Sequence, residues 1–167
     1  MERTRTASWH DPLIAASAAR TMSGIDFLKA IVSGELPPPP IGKVLGFALV
    51  EASDGKAVFA VEAGEHLYSP LGTVHGGVAA TLCDSAMACA IQTRLPAGAG
   101  CPTVELSVRF VKPVTAKAGR LLCTGRVIHV GGRTATAEAR LEDEGGTLYA
   151  HAVTTCLVVQ NSSAKPA

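Results

Sequence analysis

Charge of one sign is scarce in this chain. Fifteen Lys and Arg stand against fourteen Asp and Glu among 167 residues, so the formal net charge is +1. Aromatic residues make up only 4%. A nucleic-acid partner asks for a basic footprint and stacking platforms, so none is expected. No apolar run approaches the length that crosses a bilayer, so no membrane partner is expected either. The opening "MERTRTASWHDP" lacks the hydrophobic core of an export signal, and a cytoplasmic location is expected. Five cysteines (83, 89, 101, 123 and 156) are odd in number and show no paired spacing. They read as small core residues in a reducing compartment, not as a disulfide framework or a metal site. There is no G-x-S-x-G elbow, no phosphate loop and no C-x-x-C pair.

What is present is apolar content of 47%, enough for one well-filled core. "DPLIAASAAR" predicts a short helix, with Asp11 as cap and Pro12 in its first turn. "SGIDFLKAIVSG" predicts a second, capped by Ser23 and stopped by Gly34. "LPPPP" at 36–40 is an extended spacer. From residue 43 the pattern turns to strands. "KVLGFALVEAS" and "KAVFAVEA" flank Asp54-Gly55, a hairpin signal. One long helix is predicted over 75–93. Four strands follow, with turns at 131–132 and 144–146. Val104, Leu106, Val108 and Phe110 alternate with polar residues, which predicts one buried face. Two strands, a helix and four strands give an α+β layer architecture, one helix covering an antiparallel sheet. The expected division is an extension over 1–22, a main domain over 23–160 and a flexible tail over 161–167.

The long helix carries the chemistry. Its start, His75-Gly76-Gly77, leaves backbone N–H groups without internal partners at the positive end of the helix dipole. A carbonyl oxygen gaining charge could dock there. On these three residues alone, a tight loop-to-helix turn is the simpler reading. Asp84 adds to the case. Gly77, Thr81, Asp84 and Ala88 share one small-residue stripe, and Val78, Leu82 and Cys89 lie on another side. The residues alone leave Asp84 open between a solvated face and a reactive site. Gly77 and Asp84 are about 10 Å apart along the axis. One helix therefore cannot bring its own acid to a carbonyl held at its own start. Two helices packed antiparallel about a twofold axis could, with Ala80, Thr81 and Ala88 permitting close approach.

The segments "LGTVHGGVAATLCDSAMACA", "TVELSVRFVKP" and "HVGGRTATAEARLEDEGGTLYAHAVTTCLV" resemble the hotdog-fold acyl-CoA thioesterases of the PaaI type, over roughly residues 23–158. The resemblance implies a curved antiparallel sheet wrapped around one long central helix. It implies hydrolysis of acyl-CoA without metal or cofactor, by a homodimer with shared active sites, often a dimer of dimers. Carried over by position, the Gly77 N–H polarises the thioester carbonyl and His75 shapes the helix start beside Gly76. Asp84 acts as base on water or as nucleophile. Thr103 places a hydroxyl where it can hold the water or the acid. Ser69 stands where the family often has Asn, six residues before the histidine. Lys112, Gly132, Arg133 and Thr134, with Gly131, fall where the family meets the pantetheine and nucleotide arm. Without the resemblance, Lys112 and Arg133 are ordinary solvated charges at strand ends.

The dehydratase branch of this fold carries Asp and His five residues apart, and no Asp here has His at that spacing. The alternative kept is a non-catalytic acyl-CoA-binding or assembly module. His10, His66, His129 and His151 form no ligand cluster in sequence. Tyr68 stays open between acyl pocket and loop packing. Cys83 reads as packing, and Trp9 as the anchor of the extension.

Overall fold

The computed structural model describes residues 1–160, and the expected tail over 161–167 lies outside them. Asp11 caps α1 (Pro12–Ala18), accepting the Leu13 N–H at 2.9 Å. Ser23 caps α2 (Gly24–Ser33), and Gly34 closes it with φ 84°. The extended run stops one residue earlier than expected. Pro40 is the first residue of α3 (Pro40–Leu45), and Gly46 ends that helix with φ 79°. Residues 43–45 are therefore helical, not the start of a strand. Proline inside the start and glycine past the end are helix punctuation, which outweighs the apolar character of Val44 and Leu45.

Strand β1 (Phe47–Ser53) turns at Asp54-Gly55 into β2 (Lys56–Glu62), and Gly55 takes φ 68°. The long helix α4 spans Gly76–Gln92. A two-residue strand, β3 (Ala99–Gly100), leads into β4 (Thr103–Phe110). The meander β5 (Arg120–Val130), β6 (Thr134–Asp143) and β7 (Leu148–Leu157) follows, and β8 (Val159–Gln160) pairs with β3. The main sheet is antiparallel throughout, in the order β1-β2-β5-β6-β7-β4. Register shifts in β1, β4, β5 and β7 mark bulges, which bend strands and let a sheet curl.

Helix α4 lies in that curl. Val78, Leu82, Ala86, Met87, Ala90 and Ile91 are buried against the sheet. A row of small residues runs across the strands beneath it, Ala57, Gly125, Ala139 and Ala152, paired neighbour to neighbour. A Cβ on Gly125 would run into the Ala86 carbonyl, so the helix backbone rests directly on β5. Its far end is tied down by buried Thr93, whose hydroxyl accepts the Gly55 N–H at 2.9 Å and donates to the Ala90 carbonyl at 2.6 Å.

Two expectations change. Trp9 does not anchor the extension by burial, since it is 56% exposed; the segment meets the rest of the chain through an exposed Arg3–Glu65 ion pair and the Gly98 N–H, which donates to the Ala19 carbonyl at 3.2 Å. The alternating face of β4 is not buried within the chain. Val104 is 55% exposed, Leu106 37% and Phe110 60%. The reason is position: β4 is an edge, hydrogen-bonded to β7 on one side only, and of this face only Val108 packs on the core among the described residues. Among the described residues, no helix is long and apolar enough to cross a membrane.

Candidate active site

The start of α4 is set by the loop before it. The His75 N–H donates to the Leu67 carbonyl at 2.8 Å, the Val74 N–H to Val114 at 2.9 Å, and Tyr68 bridges Val74. His75, in extended conformation at φ −61° and ψ 133°, is the helix cap. Its Nδ1 accepts the Gly77 N–H at 2.8 Å. Nδ1 is therefore the unprotonated nitrogen, and this hydrogen bond assigns the proton to Nε2.

The cap changes the expected donor. Gly77 was the residue expected to meet a carbonyl, but its N–H is already taken by His75. The Val78 N–H turns back to the His75 carbonyl at 2.9 Å. The Gly76 N–H has no acceptor among the described residues. Gly76, and not Gly77, also borders an apolar cavity. The sequence held this signal: a cap side chain accepts from the second or third helical residue, and Gly77 is the second.

The cavity beside Gly76 measures about 330 Å³. Exposed His75, Phe110 and Lys112 frame its mouth, and buried Val61, Leu82, Leu121 and Leu141 stand in its wall. Buried Tyr149 completes the wall, and sequence reasoning missed it. Lys112 Nζ sits over the Tyr149 ring, 5.8 Å from its centre. Ser69 does not border the cavity; its Oγ accepts the Leu71 N–H at 3.3 Å inside its own turn. Tyr68 packs the loop, its hydroxyl accepting the Ala116 N–H at 2.8 Å.

Asp84 belongs to a second cluster. It is half-buried, and its Oδ1 accepts the Thr103 hydroxyl at 2.8 Å. Thr103 pairs with Cys156 on β7, and β6 continues the row with Ala135 beside Cys156 and Thr134 beside Leu157. Thr134, exposed Arg133 and Gly132 thus lie at the Asp84 end of the sheet. Lys112 lies beyond the opposite end of β4. The structure brings Gly76, His75 and Lys112 to one end, and joins Asp84 to Thr103 at the other, where Thr134 lies two strands away on β6. Eight residues of α4 separate Gly76 from Asp84, about 12 Å along the axis.

Two thiols near Asp84, Cys89 and Cys101, are poor nucleophiles. Burial, then the neighbouring Cys101 and Asp84, pushes Cys89 up to about 12. Burial, with Cys156 and Asp84, likewise pushes Cys101 up to about 12. Cys83 is fully buried, 3.8 Å from the Cys123 sulfur. Iodoacetamide at pH 7.5 is accordingly expected to leave Cys89 and Cys101 unlabelled in the folded protein and to label them in denaturant; mass spectrometry reads the difference. Among the described residues, no group of three His, Cys, Asp or Glu could share a metal ion.

Comparison with known proteins agrees with this architecture. Residues 71–150 match the sequence profile of the Thioesterase superfamily. A protein of Halobacterium salinarum described as an esterase is 35% identical over 99 residues, covering 56% of this chain and 64% of the relative's length. The 1,4-dihydroxy-2-naphthoyl-CoA hydrolase of Listeria monocytogenes is 26% identical over 102 residues, covering 61% of this chain and 81% of its own. A crystal structure from Ralstonia eutropha, described as a thioesterase related to phenylacetic acid degradation, superimposes with a TM-score of 0.70 at 28% identity. It covers 78% of this chain and 98% of its own. An antiparallel sheet curled around one buried helix, with this profile laid over that helix and the strands from β3 to the start of β7, is a hotdog fold, and residues 71–150 are similar to the Thioesterase superfamily.

Proposed function

We propose that this protein hydrolyses acyl-CoA thioesters at sites shared between two copies of the chain. The observation that carries the reading is the split geometry. An unpartnered amide at the mouth of an apolar cavity and a tethered carboxylate lie on one helix, about 12 Å apart. Neither half suffices alone. A twofold axis that sets two α4 helices antiparallel brings each Asp84 to the other copy's Gly76. The half-buried stripe Ala80, Thr81, Asp84 and Ala88 gives the contact surface. The same axis pairs the two open β4 edges antiparallel and covers Val104 and Leu106. It also carries Thr134 and Arg133 toward the other copy's Lys112, so that cations gather where CoA phosphates arrive.

The acyl group enters the cavity, and its carbonyl oxygen accepts the Gly76 N–H. Thr103 occupies Asp84 Oδ1, which leaves Oδ2 to work. As general base, Asp84 takes a proton from water while the hydroxide attacks the carbonyl carbon. The tetrahedral oxyanion rests at the helix N-terminus. The C–S bond then breaks, the sulfur leaves as thiolate and takes up a proton, and free acid and CoA result. As nucleophile, Asp84 would instead form a mixed anhydride that water opens.

The deciding assay is release of free thiol from short, medium and aromatic acyl-CoAs. Turnover is expected for at least one class. Measurable binding with no release across the panel would sink the catalytic reading and leave the non-catalytic acyl-CoA-binding or assembly module.

A further inference from the structure

We propose that Tyr149 sets the largest apolar acyl group this site accepts, which rests on the cavity beside Gly76 being the acyl site. The other buried wall residues are mostly aliphatic side chains, which shift rotamers to suit a guest. Tyr149 is the one buried aromatic among them.

The ring is held from three directions. Its hydroxyl donates to Asp143 Oδ2 at 3.0 Å. Asp143 is itself fixed by the Thr147 N–H at 2.8 Å on Oδ1, and that bond above all holds its carboxyl below the usual carboxylate range. Lys112 Nζ lies over the ring, 5.8 Å from its centre. The Tyr149 carbonyl accepts N–H groups from Val111 at 2.8 Å and Lys112 at 3.3 Å, tying β7 to the chain just after β4. A ring fastened at its tip, face and backbone does not swing away to admit a longer chain.

Polarity narrows the class further. The ionisable lining groups other than Tyr149 are His75 and Lys112, both exposed at the mouth. The Tyr149 hydroxyl has already committed its proton to Asp143. A charged acyl terminus in the depth of the cavity would lose its hydration without gaining a partner. The fitting guests are uncharged, short straight-chain or single-ring acyl groups. The volume is at the small end of ligand pockets.

The test uses CoA thioethers, which bind but cannot be cleaved, with S-butyl, S-hexyl, S-octyl and S-decyl chains. For the wild-type protein, affinity is expected to rise with length and then break sharply. Tyr149→Leu is expected to move the break to longer chains and to raise the octyl-to-butyl affinity ratio about 10-fold or more, since one methylene in an apolar pocket is worth about 10–200-fold. Tyr149→Phe keeps the ring and is expected to keep the break. Tyr149→Met, a flexible side chain that fills irregular space, replaces the Leu variant if that one does not fold. A break that stays in place without the ring, or an equal loss at every length, overturns the role of Tyr149. Wild-type protein that binds no thioether overturns the acyl-site reading itself, and Tyr149 with it. Thioether binding without thiol release from any acyl-CoA counts against hydrolysis alone, and the length profile still decides Tyr149.

Discussion

Gly76→Pro and Asp84→Asn are each expected to lose about 10²–10⁴-fold in turnover while keeping the fold, and to recover together what each lacks alone. Asn keeps the shape of the acid and can still meet the Thr103 hydroxyl, but it neither takes a proton nor attacks carbon. Proline removes only the one N–H in question. Gly76 is the first residue of α4, where proline is favoured because the missing N–H has no helical partner. His75 at φ −61° and ψ 133° already has the extended conformation that precedes proline. Added atoms at Gly76 would press on the tip of Phe110, which is 60% exposed and can give way. Co-expression of the two variants makes half of the dimers mixed if assortment is random. In a mixed dimer one of the two sites has both an intact Gly76 and an intact Asp84. Activity should therefore return to about a quarter of wild type. Circular dichroism and size exclusion check fold and assembly, and thiol release reads the rest. If the mixed population shows no more activity than its parents, the two groups do not act across copies. If Asp84→Asn turns over at the wild-type rate, the acid has no part in the chemistry.

Much of this arrangement was legible before the coordinates, and the parts that were not share a cause. Local signals worked. Asp11, Ser23, Gly34, Asp54-Gly55 and the His75 helix start each act through a neighbour within a few residues, and each stands where expected. The α4 stripe was legible for the same reason, because helical spacing is a short-range rule. At Gly77 two local roles compete, since the amide that the resemblance assigns to a carbonyl is also the second helical N–H, which the His75 cap accepts. Residues 43–45 have the apolar content of a strand, but Pro40 and Gly46 punctuate a helix there. What no local rule contains is the pairing of Tyr149 with Gly76 around one cavity, 73 positions apart in the numbering. The exposed face of β4 is the opposite case. Alternation marks the apolar residues of one face, but periodicity does not say that this chain covers them, and Val104, Leu106 and Phe110 stay exposed.

Gly125→Ala is expected to be a strongly damaging single methyl, because it falls where the helix that carries Asp84 rests on the sheet. The glycine does not need unusual backbone angles, for it lies within β5 and is absent from the residues with positive φ. It needs emptiness. A Cβ there meets the Ala86 carbonyl and, at 2.8 Å, the Met87 nitrogen. Both are helix backbone, so no rotamer change can make room. Its cross-strand neighbours Ala57 and Ala139 are 0% and 1% exposed and leave no slack. The helix must lift from the sheet or β5 must sink. Overpacking of this kind costs about 1–3 kcal/mol, with backbone collisions at the upper end or beyond. For a chain of this size, that corresponds to a fall in Tm of roughly 6–12 °C at about 3 kcal/mol. Gly132→Ala is the control, since a Cβ there meets nothing within 4 Å, and it should leave Tm unchanged. The damage should reach the chemistry too. Ala86 is two residues from Asp84, so a helix that lifts at Ala86 also pulls the carboxylate away from Thr103 on β4. Thermal unfolding and thiol release of Gly125→Ala should therefore fall together. A variant as stable as wild type would mean that α4 does not rest on β5 at this point, and the placement of Asp84 would have to come from elsewhere.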